Sequence, residues 1–65
     1  MIHIGIIQEP HADTAVNVSE YLGRDSVRIS QDTALDGSEA VIELRSRKAV
    51  TELVQLLVRA KEYME

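Results

Sequence analysis

The dipeptide Asp36-Gly37 stands between two runs of strand-forming residues, 26–35 and 38–45. Asp-Gly is a favoured pair for a two-residue type I′ turn, whose twist matches that of the antiparallel strands it joins. A turn there fixes a hairpin in which opposed residue numbers sum to 73. Ile29 then faces Leu44, Gln31 faces Ile42 and Thr33 faces Ala40, a side that is apolar near the base and polar at the tip. Ser30 faces Glu43 and Asp32 faces Val41 on the other side, which reads as solvent-exposed.

Upstream, Ile2-His3-Ile4-Gly5-Ile6-Ile7 reads as a strand, because Ile is β-branched and stiff. Ile2, Ile4 and Ile6 share one side by simple alternation, with Gly5 and Ile7 on the other. Apolar residues on both sides suggest a central strand, ended by Pro10. Residues 9–23 admit two readings. As a strand, Thr14, Val16 and Val18 alternate with Ala15, Asn17 and Ser19. As a helix, Ala15, Val18 and Leu22 recur at helical spacing, Pro10 and Asp13 suit the first turn, and Gly23 suits the position after the end. The punctuation at both ends favours the helix.

Ser46 opens a final helix running to about Met64. Val50, Leu53, Val54, Leu57, Ala60 and Met64 form one apolar stripe, and Ala49, Leu56 and Tyr63 a second beside it. The expected fold is a single α+β domain over residues 1–65, with two layers in the order β-α-β-β-α and a three-stranded sheet. The alternative is a four-stranded antiparallel sheet plus one helix, should 14–19 be a strand.

A chain of 65 residues is near the lower limit for independent folding, since it buries only about 60% of its unfolded surface. Small domains usually add disulfides, a metal or a partner. With no cysteine in the sequence, self-association is the expected supplement. The second helical stripe, Ala49, Leu56 and Tyr63, is more than a three-stranded sheet and one short helix can cover. It is the expected homodimer or partner interface.

The formal charge of −4 disfavours direct nucleic-acid binding and anionic membranes, both of which require displaced counterions. No signal segment or apolar run of membrane-spanning length is present, which gives a cytoplasmic protein as the expectation. Against the acidic background, Arg45, Arg47 and Lys48 gather around the start of the last helix, where anions are ordinarily preferred. The expected register also sets Arg28 opposite Arg45. These four cations could hold an anion, a nucleotide or a partner's carboxylates at the helix N-terminus. They could equally splay into water, paired with Glu43, Glu52 or Asp25.

Chemistry is sparse. Glu9, His11 and Asp13 precede the second element, yet their spacing fits no zinc or calcium pattern, and helix electrostatics would account for both acids. Gly5, Gly23 and Gly37 are isolated and form no phosphate loop. So small a core leaves little room for a nucleophile, base and oxyanion hole. The expectation is no enzyme, no catalytic residue, no metal and no cofactor. What fits best is a small acidic protein-binding module acting by direct contact, of the kind phages use to inhibit host or defence proteins. On the hairpin, Asp32, Asp36, Glu39 and Glu43 could imitate phosphates toward such a target. A small-anion or nucleotide binder using the basic corner is the alternative.

Overall fold

The computed structural model describes residues 1–33 and 38–64. Four strands, β1 (Ile2–Glu9), β2 (Ala12–Tyr21), β3 (Arg24–Thr33) and β4 (Glu39–Leu44), precede one helix, α1 (Arg47–Lys61). They form an antiparallel sheet in chain order, β1-β2-β3-β4. The fold is therefore α+β, with a four-stranded meander and a C-terminal helix; this is the alternative expected from the sequence, and the helical reading of residues 9–23 gives way to β2. Thr14, Val16 and Val18 are β-branched and stack in register against Ile7, Gly5 and Ile2 on one side and Gln31, Ile29 and Val27 on the other. Two flanking strands satisfy the backbone groups of β2 along its length, which outweighs the helical spacing of Ala15 and Val18.

Gly23 closes a hairpin instead of ending a helix. Tyr21 pairs with Arg24, and the two residues between them, Leu22 and Gly23, have φ of 53° and 75°. Positive φ at both central positions defines a type I′ turn. Leu22 gains nothing visible for its conformation, since its side chain is 84% exposed. A left-handed conformation costs an L-residue roughly 1–2 kcal/mol, and asparagine less. Leu22→Asn is therefore expected to stabilise the chain by about 1 kcal/mol, near 4–8 °C in thermal midpoint for a domain this small. Thermal unfolding followed by circular dichroism measures it.

Strand β1 lies at the sheet edge, not in the centre. His3 pairs with Asn17 and Gly5 with Val16, so Ile4 is an extra residue in a bulge. The bulge breaks the alternation expected for Ile2, Ile4 and Ile6. Ile2 joins the face of Val18, while Ile6 joins the opposite face with Ala15.

The hairpin of β3 and β4 forms, but its register sums to 71: Val27 faces Leu44, Arg28 faces Glu43 and Ile29 faces Ile42. Asp36-Gly37 lies outside the described residues. The expected register would have set Arg28 against Arg45. The observed one gives Arg28 an opposite charge and matches aliphatic residues on the other side. A shift of two residues keeps every side chain on its expected face, so the amphipathic pattern survives. It also sets Asp32 between Asp13 and Glu39.

Candidate functional site

Strand registers sort the sheet into two unlike faces. The polar face carries His3, Asn17, Ser19, Ser26, Arg28 and Glu43, among others. Its side chains are tied across strands. His3 donates from Nδ1 to Asn17 Oδ1 at 2.8 Å, and Ser26 donates to Glu43 Oε1 at 2.9 Å. With its proton committed to the carboxylate, the Ser26 hydroxyl must accept from Ser19, 3.0 Å away. Ser26 is the most enclosed described residue, at 9% exposure.

The other face is aliphatic. One cross-strand row is Ile2, Val18, Val27 and Leu44, and the next is Gly5, Val16, Ile29 and Ile42. Its central residues Val16, Val18, Val27 and Ile29 are partly buried, and its edges stand open. Ile2 is 63% exposed and Ile42 53%, and among the described residues no apolar side chain is buried.

Helix α1 starts correctly and then leaves the sheet. Ser46 is its N-cap, accepting from the Ala49 N–H at 3.1 Å. Val18, Val27 and Leu44 share a recess with Val50, so the first turns lie against the end of the aliphatic face. Ala49, Val50 and Leu53 are partly buried there. One turn on, along the same side, Leu57 is 57% exposed, as is Leu56, and Tyr63 is 89% exposed. Over its length α1 makes only marginal contact with the strands. The interface residues expected from the sequence thus divide. Ala49 sits partly covered at the helix root, while Leu56 and Tyr63 project into solvent.

The result is a thin, open molecule. Its extents are 38 × 29 × 16 Å and its radius of gyration is 13.2 Å, against about 10.7 Å for a compact chain of this length. It exposes 5891 Å², where a compact monomer of 7.3 kDa exposes roughly 4200 Å². The aliphatic sheet face and the outer helix contribute Ile2, Ile7, Ile42, Leu56, Leu57 and Tyr63 to that surface, and contiguous apolar patches mark interaction sites. Sequence reasoning missed the sheet face. Its signal, the alternation of Val27 and Ile29 and of Ile42 and Leu44, was legible but indistinguishable from that of a buried core.

The cations of the expected anion corner are partly dispersed. Arg45 and Arg47 line the recess at the helix root with Ser46. Arg28 stands on the polar face opposite Glu43, and Lys48 begins α1 beside Arg47. Arg45 lies 3.8 Å from Glu43, with its side chain 83% exposed. So exposed a pair contributes little. Glu43 thus pairs with Arg45 and stands across the strands from Arg28, placing a carboxylate among the expected cations.

On the acidic side, Asp13, Asp32 and Glu39 form a carboxylate row across β2, β3 and β4. Asp13 was missed as a member because residues 14–22 read as helical. Glu43 lies at the other end of β4, and Asp36 is outside the described residues. Among the described residues, no three His, Cys, Asp or Glu side chains gather to hold a metal. Directly opposed like charges destabilise a sheet, and opposite charges contribute roughly 0.2–1 kcal/mol per pair. Asp32→Lys converts two repulsive pairs into attractive ones. It is expected to stabilise the fold by about 1 kcal/mol in dilute buffer and by less in 1 M salt, as denaturant titration at two ionic strengths will measure.

No protein-family model matches this chain, and no curated protein or solved structure matches it either. No described helix is long and apolar enough to cross a membrane.

Proposed function

We propose that this chain is a non-enzymatic protein-binding module that acts by direct contact through its uncovered apolar faces. The observation that carries this reading is the absence of any buried apolar side chain among the described residues, in a chain whose sheet and helix are both strongly one-sided. Apolar burial is the main favourable term in folding and association alike. A chain whose described apolar side chains are at most partly buried gains most by burying them further against another protein. Self-association falls within this reading, and so does an inhibitor or adaptor role toward a different protein. Residues 1–46 carry eight acids and three bases, which favours a target with a basic rim.

Affinity capture tests the reading. The immobilised chain is expected to retain a defined protein, either a second copy or another species, and the Leu56→Glu variant to lose it. Retention of nothing by the original chain, its own free copies included, would overturn the proposal.

A further inference from the structure

We infer that the occupant of the aliphatic sheet face is the helix α1 of a second copy of this chain, packed reciprocally, so that each copy supplies the layer the other lacks. This rests on the protein-binding reading above and names its first partner.

Three observations point to a second copy. The first is area. Each chain exposes about 1700 Å² more than a compact monomer of its mass. A standard interface covers roughly 800 Å² per partner, and obligate homodimers cover more. The excess is thus of the size a permanent dimer removes.

The second is shape. The sheet has an uncovered aliphatic face, and α1 has an uncovered apolar stripe continuing from Leu53 through Leu57 to Ala60. The first turns of α1 already border that face, where Val50 lines one recess with Val18, Val27 and Leu44. Past its root the stripe stays open, with Leu57 57% exposed and only marginal contact between α1 and the described strands. In a two-fold pair, the second row of one sheet, Val16, Ile29 and Ile42 with the open site at Gly5, receives the outer helix of the other. Apart from its chain neighbours, no described residue lies within 4 Å of where a Gly5 Cβ would sit, which leaves room there for an incoming side chain.

The third is charge. Arg47, Lys48, Arg59 and Lys61 against Glu52 give α1 a net charge of +3, while residues 1–46 carry −5. The aliphatic face itself is bounded by Glu9 at one end and by Glu20 and Asp25 at the other, with no cation in register on it. Arg59 and Lys61 lie at the outer end of the helix, where they would meet such a rim. Helix on helix would set like charges together, and so would sheet on sheet. Helix on sheet alone joins opposite signs, which favours both encounter and orientation.

The sequence holds no cysteine, so single thiols can be placed without background. One differently tagged chain carries Ile42→Cys and the other Leu57→Cys, and the two are mixed at about 10 µM and oxidised. Within a dimer the effective concentration of facing thiols is millimolar or above. Disulfide between the two tags is therefore expected to form on the order of 100-fold faster than with Ser30→Cys in place of Ile42→Cys, since Ser30 lies on the polar face. Should either variant lose its strand signal in circular dichroism, Ala40→Cys with Ala60→Cys repeats the test using smaller changes on the same faces. Equal rates for residues 42 and 30 would overturn the arrangement. So would preferential Leu57–Leu57 or Ile42–Ile42 products, or cross-linking only within one chain carrying both thiols. A monomer in sedimentation with a different protein captured would overturn the second copy as occupant yet leave the protein-binding reading standing. Failure of capture as well would remove both.

Discussion

Ile29→Glu is expected to abolish folding at micromolar concentration, with loss of the β-sheet signal in circular dichroism and collapse of amide dispersion. Ile29 sits in the middle of the aliphatic face, paired with Val16 on one side and Ile42 on the other. In the single chain it is only partly buried, and a carboxylate could reach water there. Beneath a partner's helix it could not. An uncompensated buried charge costs about 3–5 kcal/mol, which is all that a core in a chain this size commonly supplies. Ser30→Glu, one residue along on the opposite face, should cost less than about 1 kcal/mol, as surface changes do. If both variants unfold alike, the aliphatic face has no special standing. If both stay folded, nothing covers it.

The second large effect is on association. Leu57 is 57% exposed in the single chain. Were that its working environment, Leu57→Glu would change little, because both residues are good helix formers. On a partner's sheet, the same change places an anion among aliphatic side chains and beside the acidic rim. The dissociation constant is expected to weaken at least 100-fold, or about 2.7 kcal/mol, measured by fluorescence titration of a labelled copy with an unlabelled one. Leu57→Met, which preserves apolar volume, should stay within about tenfold of the original. Similar affinity for the Glu variant would remove α1 from the interface.

How far the sequence could be read depended on whether a signal was local. Ser46 as helix cap, the stripe from Val50 to Leu57 and the pairing of β3 with β4 were legible, since each follows from neighbours in the chain. For β2 the sequence supports both a helix, since Ala15, Val18 and Leu22 satisfy helical spacing, and the strand of the four-stranded alternative, which is the one observed. Gly23 serves a helix end and a type I′ turn equally well. The decision between them lies in β1 and β3, which hold β2 from both sides. The register of β3 on β4 was misplaced by two residues through reliance on Asp36-Gly37. The pairs Arg28–Glu43 and Ile29–Ile42 are the better guide, because side-chain pairs along a whole strand outweigh one turn preference.

The sequence offers Leu56 and Tyr63 as candidate interface residues because a second stripe is surplus on a short helix, and both are exposed. It offers no such sign for Ile29 and Ile42, since a one-sided strand looks the same in sequence whether its own helix or a partner's lies on it. Only the path of α1 away from the sheet separates those cases.

Sedimentation equilibrium of the unaltered chain from about 1 to 100 µM, with circular dichroism on the same samples, separates a reciprocal pair from a chain that folds alone. The pair gives a folded species of twice 7.3 kDa, and a thermal midpoint that falls on dilution, as linkage of folding to association requires. A folded species of 7.3 kDa at every concentration, with a midpoint that does not move, would contradict it.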